Sequence, residues 1–237
     1  MNTIENWTKE VKHYLENIKE LLDQNEEAKK LYNGFYIWDS KLIYNPKIMF
    51  IGINPGDGDK NNNGSIKTLP EEEMSFLEYL DGNNPTYTLA RETVEVFSHL
   101  GFNEKEIREL LDNNSVKTNL YYIITSKMSK IDECMNLIGK KDEFGKKSYA
   151  FTSELIKIIK PKYVICEGKT VFNAIKSFYD NKSDYEEIWS EDVGMLKIKD
   201  SDLIYFGYSR NLNKHNNIKN IKGFAEIIRP YFSKNDL

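Results

Sequence analysis

Four short apolar runs, each rich in β-forming residues, constrain this chain more than any other feature. Lys47-Ile48-Met49-Phe50-Ile51-Gly52-Ile53 ends at Asn54-Pro55-Gly56, and Tyr163-Val164-Ile165-Cys166 ends at Glu167-Gly168. Leu120-Tyr121-Tyr122-Ile123-Ile124 lies within a second segment from Val116 to Thr125, and Leu203-Ile204-Tyr205-Phe206 closes the set. Runs this short, apolar throughout and halted by turn residues, are buried strands rather than half-exposed ones. The intervening sequence has helical spacing. Ile4, Trp7, Val11, Tyr14, Leu15, Ile18, Leu21 and Leu22 trace one face of a first helix. Further helices are predicted over Thr88–Leu100, over Ser148–Ile159 before Pro161, over Thr170–Phe178 and from Ile221 to Tyr231. Met195–Ile198 reads as an edge strand.

Strands alternating with helices predict a three-layer α/β/α domain around a mostly parallel, four-stranded sheet. With 237 residues, 40% hydrophobic and 13% aromatic, one domain with a sizeable core is expected, preceded by a helical extension over about residues 1–40. Two cysteines, Cys134 and Cys166, exclude a disulfide framework and an all-cysteine metal site. The N-terminus lacks a basic segment followed by an apolar run, and no stretch nears the roughly 18 apolar residues of a membrane span. A cytoplasmic protein without a membrane partner is therefore expected. Asp57 and Asp59 flank Gly58 without the other positions of a calcium loop, so neither a metal nor another cofactor is expected. Glu71-Glu72-Glu73 reads as a solvated helix start, and His13 and His99 fall in helical patterns.

In parallel sheets, ligands bind beyond the carboxyl ends of the strands. Asn54-Pro55-Gly56, Glu167-Gly168-Lys169 and Tyr208-Ser209-Arg210-Asn211 fall there. Charge is uneven around them. The net charge is −4, yet Asp57–Asp112 carries 5 basic and 13 acidic residues, whereas Ser115–Lys176 carries 12 and 6. The segment from Ser209 to Lys222 holds Arg210, Lys214, His215, Lys219 and Lys222 and no acidic residue, a composition suited to phosphates. No Gly-Lys-Ser/Thr follows Gly56, which excludes a P-loop, and Gly52 and Gly56 lack dinucleotide-fingerprint spacing.

Ile48-Met49-Phe50-Ile51-Gly52-Ile53-Asn54-Pro55-Gly56 resembles the first motif of the uracil-DNA glycosylase superfamily, in the Gly-Ile-Asn-Pro-Gly form of its mismatch-specific branch. Val116-Lys117-Thr118-Asn119-Leu120 is similar to the family's second strand, and the stretch from Ile156 through Pro161 to Gly168 to its helix–Pro–strand–Gly segment. The ordered set covers about Lys47 to Phe232. It departs at the second catalytic motif. Where the family carries His-Pro-Ser or Asn-Pro-Ser, this chain reads Tyr208-Ser209-Arg210-Asn211, similar to the single-strand-selective branch's Ser-Pro-Arg-Asn without the proline.

The resemblance implies hydrolysis of an N-glycosidic bond in DNA after base flipping, without a metal. Asn54 would orient the attacking water, and Tyr208 and Ser209 would stand at the second catalytic motif. Asn119 would read the base, Tyr87 would stack on it, and Gly52, Ile53, Pro55 and Gly56 would line its pocket, Gly56 leaving it roomy. Ser209, Arg210, Asn211, Lys214, Lys219, Gly168 and Lys169 would meet phosphates. His215 is a surface histidine that could fold back toward the site. Leu212 is the only apolar wedge in the last loop, which implies a preference for single-stranded or distorted DNA. Two other classes fit the residues: a non-catalytic sensor of nucleic acid or modified bases or a protein-interaction module, and a protein that binds or hydrolyses free nucleosides or nucleotides.

Overall fold

A computed structural model describes residues 3–56, 64–68, 75–179, 184–211 and 217–232. Helix α1 (Ile4–Asp23) begins at Thr3, whose side chain accepts from Asn6 N–H, and buries Trp7, Val11, Leu15, Ile18 and Leu22. After a 3₁₀ turn at Ala28–Lys30, the chain forms β1 (Phe35–Tyr36), then β2 (Ile48–Gly52) and β3 (Ile66–Lys67), which pairs with β1. Three helices follow: α2 (Ser75–Leu80), α3 (Thr88–His99) and α4 (Glu104–Asn113), the last opened by a capping box between Asn103 and Glu106. Strand β4 (Ser115–Asn119) leads to α5 (Met128–Leu137) and α6 (Lys141–Ile159). Then come β5 (Tyr163–Cys166), α7 (Lys169–Lys176), β6 (Tyr185–Ser190), β7 (Val193–Ile198) and β8 (Ile204–Tyr208). A hairpin of β9 (Arg210–Asn211) and β10 (Asn217–Ile218) precedes α8 (Ile221–Ile228).

The central sheet has six strands, in the order β4-β2-β5-β8-β7-β6. The four from β4 to β8 are parallel, and β7 and β6 extend them antiparallel. The mostly parallel sheet is as expected, but it has six strands rather than four. Met195–Ile198 is not an edge. It lies in β7, between β8 and β6, because Tyr185–Ser190 supplies an unexpected outer strand whose adjacent Glu186 and Glu187 hid it from hydropathy.

One further correction matters for the site. The apolar run Leu120–Ile124 is not the second strand; β4 is the more polar Ser115-Val116-Lys117-Thr118-Asn119. The edge of β4 is covered by the segment around Trp38 and Asp39. Asp39 N–H donates to Lys117 O, Lys117 N–H to Ser40 Oγ and Thr118 Oγ1 to Ile37 O, so the edge is satisfied and buried. Leu120–Ile124 is buried beyond the sheet, where Tyr36 N–H and Ile124 N–H bond to Tyr122 O and Gly34 O. Asn119 therefore ends its strand.

Alternation along each strand feeds two cores, one on each face of the sheet. Met49, Ile51, Val116, Val164 and Cys166 join α1, α6 and α7 on one face. Ile48, Phe50, Tyr163, Ile165, Phe206 and Tyr208 join α2, α3, α4 and α8 on the other. Trp7 locks α1 to the first core: its indole N–H donates to Phe151 O at 2.9 Å and its ring lies 5.3 Å from that of Trp38. Among the described residues, no helix is long and apolar enough to cross a membrane.

Candidate functional site

Register brings the chemistry together. Gly52 of β2 is the partner of Asn119 of β4, and Glu167 N–H donates to Ile51 O at 2.9 Å, so Glu167 flanks Gly52 on the other side. Cys166 is paired with Gly207, which sets Tyr208 beside Glu167. Asn119, Gly52, Glu167 and Tyr208 thus form one row across four parallel strands at their carboxyl ends. The missing side chain at position 52 is essential to the row. A Cβ there would collide with Asn119 Oδ1 and lie 3.1 Å from Glu167 Oε2. The two oxygens converge over the glycine.

Beneath the row lies a buried ion pair. Lys117 Nζ donates to Glu167 Oε1 at 2.5 Å, with both side chains only 4% exposed. Burial alone would discharge the lysine, but Glu167, with Tyr87 and Asp39 behind it, outweighs that and raises its pKa. Lys117 Nζ also sits 4.4 Å from the centre of the Phe76 ring, on α2, which stacks against Tyr87 at 6.5 Å and 23°. At the edge, Asn119 Nδ2 donates to Asp39 Oδ2 at 2.8 Å.

Asn54 is half-buried just past β2. Its amide nitrogen donates to Pro55 O (2.9 Å), Thr125 O (3.1 Å) and Thr125 Oγ1 (3.2 Å). Thr125 Oγ1 spends its own proton on Lys127 O, so it accepts from Asn54. With carbonyls facing the nitrogen, the orientation of the amide follows from chemistry, and Asn54 Oδ1 is left as an acceptor with no partner among the described residues.

Tyr208 is 1% exposed and packs edge-on against Phe224, ring centres 4.9 Å apart. Burial first, and then the Glu167 carboxylate, hold its pKa well above the usual phenol range, so it is a neutral O–H. Burial likewise raises Tyr87. Arg210 lies within electrostatic reach of both phenols, and its aliphatic stem covers Gly168, where a Cβ would lie 3.3 Å from Arg210 Cδ. Gly168 has φ of 126°, a conformation that glycine alone adopts readily.

The remaining predicted residues divide. Ile53 packs against the first core, Pro55 is buried, and Gly56 is exposed with nothing within 4 Å of the space a side chain would occupy. Ser209 is held by its backbone, its N–H to Asp192 O (2.6 Å) and its carbonyl to Lys219 N–H (3.0 Å). Arg210 and Asn211 are half-buried in β9, paired with β10, rather than in an open loop. The Lys219 ammonium pairs with Asp192 at 3.0 Å. Lys169 lies over the Trp189 ring at 4.8 Å. His13 and His99 sit on helix surfaces beside Glu16 and Glu95. Lys214, His215 and Leu212, like Asp57, Asp59 and Glu71-Glu72-Glu73, lie outside the described residues.

Sequence reasoning assigned no role to Lys117, Glu167, Asp39 or Phe76. The available signal was a lysine two residues before Asn119, on the same face of a short strand. Among the described residues, no three His, Cys, Asp or Glu side chains converge as metal ligands. No family model matches the chain, and no curated protein matches it.

Proposed function

We propose that this protein is a uracil-DNA-glycosylase-like N-glycosidase that removes a modified or mismatched base extruded from DNA. One observation carries the reading. Asn54 and Asn119, taken from two separate motifs, stand at the carboxyl ends of adjacent parallel strands, with Gly52 in register with Asn119. The four parallel strands and the helices on both faces agree with the three-layer fold that the motifs imply.

Glycosidic cleavage builds positive charge on the sugar and negative charge on the leaving base. Asn54 Oδ1, without a partner among the described residues, accepts from a water and aims it at C1′; an amide is too weak a base to do more than orient. The base lies over Gly52, read by Asn119, with the Tyr87–Phe76 aromatic pair as its wall. Tyr208 and Tyr87, held neutral by burial, are the hydroxyl donors available to the departing base, in place of the family's histidine or asparagine. Arg210, within electrostatic reach of both phenols, meets the flanking phosphate.

The test is a panel of single- and double-stranded oligonucleotides bearing uracil, mismatched uracil or thymine, hypoxanthine and modified cytosines or guanines. Alkali-sensitive abasic sites are expected on at least one, and their absence with Asn54→Ala. The second reading, a sensor without turnover, is favoured by the burial of Tyr208 at the second catalytic motif. Tight, salt-dependent binding with no abasic product from the wild-type protein would select it.

A further inference from the structure

Resting on the reading that an extruded base occupies this site, we infer which class of base it takes. The floor selects an edge with two adjacent N–H donors, a guanine-type N1–H beside an exocyclic amine, over the carbonyl-flanked imide of uracil or thymine.

A carboxylate only accepts, so the Asn119 group facing Asp39 Oδ2 at 2.8 Å is the NH₂, and Oδ1 is turned over Gly52. Glu167 has one oxygen, Oε1, bound to Lys117, while Oε2 faces the same point above Gly52. Neither Asn119 Oδ1 nor Glu167 Oε2 receives a hydrogen bond from any described residue, though Asn119 is 3% and Glu167 4% exposed. Two acceptors that converge over Gly52 without a donor from the described residues match a ligand that brings two adjacent donors. Uracil and thymine offer one N–H between two carbonyls, and would press a carbonyl oxygen against an acceptor. Hypoxanthine offers the N1–H without the amine. A guanine-type edge offers both. Asp39 is then a positioning residue: it fixes which end of the Asn119 amide the base meets.

The experiment uses the full chain and single-stranded oligothymidylates with one central dG, dI or dU. Each central sugar is 2′-fluoroarabino so that the bond survives, and affinities are read by fluorescence anisotropy. The dG probe should bind tightest, dI about tenfold weaker for the lost amine, and dU no better than thymidine alone. In Asp39→Asn, the new amide can donate to Asn119 Oδ1 and let that side chain turn over, so the dG-over-dU preference should fall about tenfold or more. Equal or tighter binding of dU, or an unchanged preference in Asp39→Asn, overturns the acceptor-pair assignment and leaves the glycosidase reading standing. Abasic product on no member of the wider panel, with no base-dependent binding here, overturns both.

Discussion

Replacing Lys117 with methionine should destabilise the protein far more than a typical lysine substitution. Lys117 and Glu167 are each 4% exposed as side chains and touch at 2.5 Å, so the single variant leaves a buried carboxylate without its cation. Breaking such a pair from one side costs about 3–5 kcal/mol, whereas replacing both partners with neutral groups is often nearly neutral. Lys117→Met should therefore lower the unfolding free energy by about that amount, and Lys117→Met/Glu167→Gln should recover most of it. For a chain of this size, the single variant should melt roughly 10 °C lower or more. Urea unfolding of wild type, both singles and the double completes the cycle, and coupling near zero would refute the buried pair.

Gly52→Ala places a methyl against Asn119 Oδ1 and should cost about 1–3 kcal/mol of stability in urea while abolishing base-dependent binding; retained binding would remove the row from the site. Cys134 and Cys166 are buried, and burial pushes the Cys134 thiol up to about 11 and raises Cys166 too, so neither should react with a thiol reagent at pH 7.5 until the protein unfolds. Arg210→Ala should flatten the salt dependence of DNA binding by about 1 unit of slope. Lys219→Ala should flatten it by less, because Asp192 already neutralises that ammonium; a larger effect at Lys219 would contradict the pairing.

The sheet was legible wherever strands are apolar on both faces. Ile48–Gly52 and Tyr163–Cys166 were read almost to the residue, because a doubly covered parallel strand has no polar positions to confuse with a helix. The misreadings have one cause: the polar strands. Hydropathy centred the second strand candidate, Val116–Thr125, on the greasier Leu120–Ile124, whereas β4 is Ser115–Asn119 with Lys117 and Asn119 at buried positions. Tyr185–Ser190 escaped because a covered inner neighbour, not its own hydropathy, holds it in the sheet. Of the site, Asn54, Gly52 and Asn119 were visible as motifs. The partners that orient them were not. Asp39, Thr125 and Glu167 reach the cluster only through pairing between elements distant in the chain, which local patterns do not encode.

The central claim is that Asn54 orients a water for glycosidic cleavage while others hold the base, and single-turnover kinetics separate those roles. On whichever oligonucleotide yields abasic sites, Asn54→Ala should lose about 100-fold or more in excision rate. Its affinity for the same oligonucleotide, made uncleavable, should stay within about threefold, because among the described residues Asn54 bonds to Pro55 and Thr125 and the proposed base contacts come from other residues. An excision rate that survives in Asn54→Ala, or a loss accounted for wholly by weaker binding, would contradict the account.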